Sequence, residues 1–129
     1  MAKTVTVLSH ARVVCESCSV ADTVRTRLRG LMGRRALEPG EGVLLRPSGS
    51  VHTCFMRFAI DVVFLDRELR VLAVSPAVRP WRLRLQRGAR AVLELPAGEA
   101  KRVGIAPGDH LKVRASATRY EKEKVHALA

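Results

Sequence analysis

Aromatic side chains are scarce in this sequence, which contains three phenylalanines, one tryptophan and one tyrosine among 129 residues. Proteins that bind single-stranded nucleic acid need exposed aromatic rings on which the bases stack. Most of the five aromatic residues stand inside apolar runs, a position typical of a hydrophobic core. The composition therefore counts against a dedicated single-strand binder.

Long apolar runs and a secretion signal are also missing. No run approaches the ~20 residues that a membrane-spanning helix needs, and the N-terminus lacks an apolar segment followed by a small-residue cleavage site. We therefore expect a soluble, cytoplasmic protein with no membrane partner. The three cysteines, Cys15, Cys18 and Cys54, are then expected to be free thiols or metal ligands, because the cytoplasm is reducing.

Acidic residues are few, with 12 Asp and Glu against 23 Lys and Arg, so the formal net charge is +11. A basic balance of this size suits anionic partners, nucleic acid among them. The arginines are scattered over several predicted elements. This scatter favours the alternative that the charged side chains simply face solvent and bind no anionic partner. We expect any nucleic-acid binding to be weak, nonspecific and sensitive to salt.

Recognised catalytic motifs are absent as well. The sequence has no Ser/His/Asp order, no glycine-rich phosphate loop and no dinucleotide fingerprint. It therefore assigns no catalytic residue, no cofactor and no reaction.

The distribution of β-branched residues and turn signals predicts a mainly β fold. Short runs rich in valine, isoleucine and leucine alternate with Gly/Pro turns, which is typical of a compact single-domain β sandwich or barrel. The domain is expected to span residues 1–117, followed by a charged tail over 118–129. The predicted strands are Val43–Leu45, Val51–Met56, Ile60–Leu65, Leu69–Val74, Ala91–Leu95 and His110–Ala115. Thr4–Val7 and Ala11–Cys15 are predicted as short strands or as one interrupted strand. Leu83 and Leu85 alternate with Arg82 and Arg84, which is typical of a half-exposed strand.

One short amphipathic helix is predicted near residues 20–32. The run Ser19–Asp22 matches the Ser-x-x-Asp pattern of a helix start. Val20, Val24 and Leu28 then recur at helical spacing. A further helical turn is predicted at 97–101.

The stretch from His52 to Asp61 carries the most concentrated chemistry. It places a histidine, a thiol, a thioether, an arginine and a carboxylate in an otherwise apolar run, and unpaired polar groups are costly to bury. We expect His52, Arg57 and Asp61 to converge, with Asp61 holding Arg57 or a backbone amide. The candidate ligand-binding residues are His52, Met56, Arg57, Asp61, Trp81 and Glu94.

Metal binding is the less favoured hypothesis for this stretch. On a strand, His52, Cys54 and Met56 would share one face and could hold a soft metal ion, but the same pattern fits a buried strand. Cys15 and Cys18 have the spacing of half a zinc site or of a redox pair. The favoured alternative is a pair of incidental thiols on a strand and a loop, so no metal site is assigned.

Several short motifs follow one another in a familiar order. They are RGLMGR at 29–34, GEG at 40–42, HTCFMRF at 52–58, IDVVFLD at 60–66 and LELPAG at 93–98, followed by Gly104-Ile105 and Gly108-Asp109. In this arrangement, over residues 5–115, the chain resembles the bacterial and archaeal domain-of-unknown-function family 192. The resemblance implies a compact β sandwich or barrel with a short helix, and it supplies no function.

Two positions depart from the pattern of that family. Ala59 stands where proline is usual, and Leu69 stands where glycine is common in a hairpin. Leucine at positive φ costs about 1–2 kcal/mol, so we expect the turn at Leu69 to adopt a different geometry.

The preferred function hypothesis is a small ligand-binding or accessory domain, with a pocket around His52–Asp61 for a small anionic ligand. Two alternatives stay open. One is a nonspecific binder of nucleic acid or another polyanion through the arginine-rich surface. The other is a hydrolytic enzyme that uses His52 and Asp61. We expect the protein to be a monomer.

Overall fold

The computed structural model describes residues 3–10, 12–21 and 36–115. Within these ranges the chain forms nine β-strands and one short helix, α1 (Glu99–Val103), so the predicted mainly β fold is confirmed. No helix in these ranges is long and apolar enough to cross a membrane. The strands are β1 (Lys3–Ser9), β2 (Arg12–Ala21), β3 (Glu41–Leu45), β4 (Ser50–His52), β5 (Ile60–Leu65), β6 (Val71–Val78), β7 (Leu83–Leu85), β8 (Ala91–Pro96) and β9 (Leu111–Ala115).

Seven of the strands form one curled sheet, a half-barrel, in the order β6-β5-β8-β3-β2-β1-β9. Its described pairs are antiparallel except for β2 and β3, which run parallel with Val20 beside Leu44. β4 and β7 pair with each other and with no other described strand. This two-stranded sheet is called the ribbon below.

All six side chains of β5 are buried. Its sequence, IDVVFL, is rich in β-branched and aromatic residues, which favour strands. β6 pairs with one side of β5 and β8 with the other. Since a strand alternates its side chains between the two faces of a sheet, β5 contributes to a core on each face.

Two hydrophobic cores lie on opposite faces of the sheet. The helix-side core joins alternate side chains of β5 to α1, β1 and β2, and its members include Val63, Leu65, Ala100, Val103, Val7, Cys15 and Cys18. The ribbon-side core joins the remaining side chains of β5 to the ribbon, and its members include Ile60, Val62, Phe64, Val51 and Met56. The ribbon therefore covers one face of the sheet and α1 covers part of the other.

The helix predicted at residues 20–32 is wrong at its start. β2 continues to Ala21, and Val20 is a buried strand residue of the helix-side core. Pairing with β3 and burial of the side chain outweigh the local helical pattern, because propensity is weak beside tertiary packing. Residues 22–32 of that prediction lie outside the described residues, as does the predicted tail. The helical turn predicted at 97–101 corresponds to α1.

The turn at Leu69 also differs from expectation, because Leu69 has a φ of 66°. The side chain of Asp66 holds this turn, since its Oδ1 accepts hydrogen bonds from the amides of Glu68 and Arg70, both at 2.9 Å. Leu69 itself packs against the helix-side core. These contacts offset a backbone strain of about 1–2 kcal/mol, so the turn forms without glycine.

Candidate functional site

The predicted strand Val51–Met56 is wrong beyond His52, and this rearranges the candidate site. β4 stops at His52, and a turn follows in which the Met56 amide donates to the Thr53 carbonyl at 3.2 Å. His52, Cys54 and Met56 therefore do not share a strand face. No group of three side chains able to hold a metal ion occurs in the part of the chain that the structure describes.

Asp61 is a structural carboxylate that ties three elements together. Its side chain is buried, with a relative exposure of 1% for the residue. Oδ1 accepts a hydrogen bond from the Ala77 amide of β6 at 2.8 Å. Oδ2 accepts from the amides of Gly98 and Ala100 at the start of α1, at 3.0 and 2.9 Å. Of the two partners predicted for Asp61, the backbone amides are the ones that the structure shows.

The six candidate residues do not form one pocket. Asp61 bonds to α1 and therefore faces the helix-side core, whereas His52 is exposed on the ribbon, on the other side of the sheet. Arg57 is exposed and forms no ion pair with a described residue. Met56 lies in the ribbon-side core, and Trp81 is on the surface. The expected convergence of His52 with Asp61 is wrong, because the register of β5 and β8 decides which face each side chain occupies.

Glu94 is a second buried carboxylate, and it differs from Asp61 in its hydrogen bonding. It follows Val92 by two residues on β8, so it faces the ribbon-side core between Val43 and Val62 of the neighbouring strands. Its Oε2 is buried with no hydrogen-bond partner among the described residues. Burial raises the pKa of Glu94 to about 8, because desolvation disfavours the charged form.

Thr53 organises the surface of the ribbon, and sequence reasoning missed it. Its side chain is fully buried, and Oγ1 donates to the Arg79 carbonyl at 2.6 Å while it accepts from the Arg82 amide at 2.8 Å. The Thr53 amide donates to the Arg82 carbonyl at 2.8 Å, and the Trp81 amide donates to the Thr53 carbonyl at 3.0 Å. Thr53 therefore fixes the turn after β4 against the segment that precedes β7.

This junction presents two aromatic rings to solvent. The rings of Phe55 and Trp81 lie edge to face, with centroids 4.7 Å apart and planes at 60°. Phe55 is 61% exposed and Trp81 is 59% exposed, so the expectation that most aromatic residues lie in the core is wrong for this pair. Both residues have positive φ, 66° for Phe55 and 63° for Trp81. Such strain in bulky residues costs about 1–3 kcal/mol each and is typical of functional sites.

Two leucines of β7, which follow Trp81 closely in the chain, are also exposed. Leu83 and Leu85 are 62% and 68% exposed, and Arg84 between them is half-buried opposite Val51. The predicted alternation of leucine and arginine is present. The leucines face solvent, however, whereas apolar residues of a half-exposed strand usually face the core. The side chains of Phe55, Trp81, Leu83 and Leu85 are together called the apolar patch.

Arginines are concentrated in the two segments of the chain that contain the ribbon. From Glu68 to Glu94 the sequence contains six arginines and no acidic residue between those two positions. From Glu41 to Asp61 there is likewise no intervening carboxylate, and both Asp61 and Glu94 are buried. The exposed arginines of these two segments are Arg46, Arg57, Arg70, Arg79, Arg82, Arg87 and Arg90.

Cys15 and Cys18 both lie on one strand, so the predicted placement of the pair on a strand and a loop is wrong. Both are fully buried in the helix-side core and both belong to β2. An irregularity in the β1–β2 register, with Val5 beside Cys18 and Val7 beside Cys15, turns both side chains to one face. A hydrogen bond between the two thiols and burial raise the pKa of Cys18. The neutral thiol is therefore the stable form of Cys18.

A cleft of about 400 Å³ lies at the other end of β5 and contains none of the six candidate residues. Three arginines and one carboxylate give its lining a positive balance. The cleft is lined by Arg46, Pro47, Asp66, Arg67, Leu69, Arg90 and Ala91.

Comparison with known proteins finds relatives whose names give no activity. A UPF0127 protein from Thermococcus sibiricus is 35% identical over 101 residues, which cover 71% of this chain and 62% of that protein. A UPF0127 protein from Pyrococcus abyssi is 33% identical over 100 residues, covering 72% of this chain and 82% of that protein. The match therefore spans less than two thirds of the Thermococcus sibiricus protein.

The fold agrees with a solved structure from Novosphingobium aromaticivorans, described as a protein of unknown function. The TM-score is 0.75 at 26% identity, covering 86% of this chain and 84% of that one. The family model DUF192, described as an uncharacterised ACR, matches residues 5–113. The extent of that match, together with relatives above 30% identity, shows that this chain belongs to the DUF192 family.

Proposed function

We propose that this protein is a binding domain that holds an anionic, partly apolar partner on the apolar patch. The observation that carries the proposal is the Phe55–Trp81 pair. Two rings in strained backbone conformations are held next to each other at the surface, where more than half of each residue is exposed. Because the contact of two exposed rings contributes only about 0.5–1.5 kcal/mol, folding alone does not account for the arrangement.

The apolar patch leaves apolar surface exposed to water, and its burial by a partner would be favourable. Complete burial of one such side chain is worth about 1.5–3 kcal/mol, and each of the four is roughly 60% exposed. A partner that covered all four would therefore gain about 4–7 kcal/mol from apolar burial alone. Contiguous apolar surface on a soluble domain often marks such an interaction site.

The positive charge near the apolar patch favours a partner with negative charge. Arg57, Arg79, Arg82 and Arg87 are exposed in the segments next to the ribbon, whereas Asp61 and Glu94, the carboxylates that end these segments, are buried. A second copy of this chain would bring the same positive surface, so like charges would oppose self-association. An anionic partner is favoured, and its affinity should fall as salt screens the charges.

Hydrolysis by His52 and Asp61 receives no support from the geometry. A general base has to reach the proton that it removes, but Asp61 is buried and accepts three backbone hydrogen bonds. His52 lies on the ribbon, on the opposite side of the sheet. The alternative that the arrangement supports is binding.

The single tryptophan of the chain makes the proposal testable, because Trp81 belongs to the apolar patch. The test is a titration that follows Trp81 fluorescence with three anionic probes: phosphatidylglycerol vesicles, a single-stranded oligonucleotide and an acidic amphipathic peptide. We expect at least one probe to change the emission, and Leu83→Ser/Leu85→Ser to weaken that response. Val13→Ser is the matched control, because Val13 is an exposed apolar residue on β2. If no probe changes the emission, the proposed function is wrong.

A second candidate function concerns the cleft near Asp66, and it accommodates the expected small anionic ligand. Arg46, Arg67 and Arg90 all line this cleft, and guanidinium groups bind carboxylates and phosphates through paired hydrogen bonds. Isothermal titration with citrate and with pyrophosphate tests it. Loss of the binding heat in Arg67→Gln would support the cleft, whereas binding that persists in that variant would exclude it.

A further inference from the structure

We infer that the partner of the apolar patch is an anionic lipid surface, an inference that rests on the proposed function and names its partner class. The domain would lie on the membrane through the ribbon, with Phe55, Trp81, Leu83 and Leu85 in the interfacial region. The arginines around them would meet lipid phosphates. This is peripheral attachment, and it needs no membrane-spanning segment. It departs from the expectation of no membrane partner, which followed from the lack of long apolar runs.

The leucines distinguish a lipid surface from nucleic acid. Bases stack on flat rings, and the exposed side chains of Leu83 and Leu85 offer no such face. Phe55 and Trp81 are inclined at 60° to each other and do not form one flat platform. In contrast, aromatic and aliphatic side chains with flanking basic residues are the composition that binds the boundary between lipid headgroups and acyl chains.

The hydrogen bonding of the ribbon backbone limits how deeply it would lie in a lipid surface. Amide and carbonyl groups without partners are costly where water is excluded. β4 and β7 pair through Ser50 with Leu85 and His52 with Leu83. At one end, the Thr53 and Trp81 amides donate to described carbonyls, and at the other the Gln86 amide donates to the Gly49 carbonyl at 3.2 Å. The backbone groups that face the partner strand and those at both ends of the ribbon are therefore paired, and the outer edges of the two strands stay open to water.

Charge provides the complementary part of the recognition. Basic residues next to an anionic leaflet each add to the attraction, and the effect extends over about one Debye length. Arg79, Arg82 and Arg87 are exposed around the ribbon. Because the acidic residues nearest in sequence to the ribbon and its turns, Asp61 and Glu94, are buried, little repulsion opposes the approach of anionic headgroups.

The experiment uses the full chain with vesicles of phosphatidylglycerol and phosphatidylcholine, against vesicles of phosphatidylcholine alone. Cosedimentation measures the affinity, and Trp81 emission reports its environment. We expect binding only to the anionic vesicles, a blue shift of the emission, and quenching by lipids brominated on the acyl chain. Leu83→Ser/Leu85→Ser should weaken the affinity by at least ~10-fold, while Val13→Ser should leave it unchanged.

Three outcomes would overturn the inference. Sedimentation with anionic vesicles but without a blue shift or bromolipid quenching would show electrostatic adsorption that does not use the apolar patch. An equal affinity of Leu83→Ser/Leu85→Ser and the parent chain would show the same. A Trp81 response to the oligonucleotide or to the acidic peptide, but not to vesicles, would exclude lipid and keep the proposed binding function. The quenching measurement uses the parent chain, so it does not depend on the folding of a variant.

Discussion

The clearest test of the structural role of Asp61 is the substitution Asp61→Asn. Asparagine keeps the shape of the side chain but replaces one carboxylate oxygen with an NH2 group. In the best orientation its oxygen still accepts from Gly98 and Ala100, and the NH2 then faces the Ala77 amide, which is also a donor. One buried hydrogen bond to a charged group is lost, and two donors face each other.

The expected magnitude follows from these contacts. A hydrogen bond to a charged group contributes about 1.5–3 kcal/mol, and a buried donor without an acceptor costs about 1–3 kcal/mol. Because the two effects overlap at the same site, we expect Asp61→Asn to lower the free energy of unfolding by roughly 2–4 kcal/mol. For a chain of this length the melting temperature should fall by roughly 8–16 °C.

Urea unfolding followed by circular dichroism measures the loss, and His52→Ala is the matched control. His52 is exposed on the ribbon, so its truncation should change the free energy of unfolding by less than about 0.5 kcal/mol. If Asp61→Asn unfolds within that same margin, Asp61 does not hold β5, β6 and α1 together, and the reasoning from its hydrogen bonds is refuted.

Three further predictions concern buried groups. Burial raises the pKa of Glu94 to about 8, from an ordinary value of 4.5. Between these pH values the carboxyl group ionises in the unfolded chain but stays protonated in the folded one. The free energy of unfolding should therefore fall as pH rises, by roughly 3 kcal/mol at pH 7. Urea unfolding at pH 5 and pH 7.5 should show this slope, and Glu94→Gln should flatten it. Cys18→Ser, which buries a hydroxyl in the helix-side core, should cost about 1–3 kcal/mol, whereas Cys54→Ser, at a half-buried site, should change thermal unfolding little. Thr53→Val keeps the volume of the side chain but loses its hydrogen bonds to Arg79 and Arg82. It should reduce the near-ultraviolet circular dichroism of the Phe55–Trp81 pair, and an unchanged spectrum would contradict the role of Thr53.

The strand framework could be predicted because local patterns carry it. β5 is recognisable in IDVVFL, and β8 in an apolar run that ends at Pro96. The face on which a side chain lies could not be predicted in the same way. Asp61 pairs with Leu95 and Glu94 pairs with Val62, so the two carboxylates face opposite cores, and only the register between distant strands decides this.

The candidate site was harder to predict for a related reason. Alternation along Leu83-Arg84-Leu85 shows that the two leucines share a face, but it does not show which face is covered. The turn at Thr53 depends on hydrogen bonds to Arg79 and Arg82, which lie far along the chain. Positive φ at Phe55 and Trp81 has no local sequence signal, since both are bulky residues that rarely adopt it.

The two outer strands of the described sheet bear on aggregation. An outer strand offers unpaired amides and carbonyls to any passing strand, and proteins protect such edges with proline and with charged residues. β6, at one edge, carries an exposed Pro76, and β9, at the other, carries exposed Lys112 and Arg114. A proline removes a donor from one edge, and like charges repel identical copies at the other. The half-barrel can therefore stay open without recruiting further chains into a fibre.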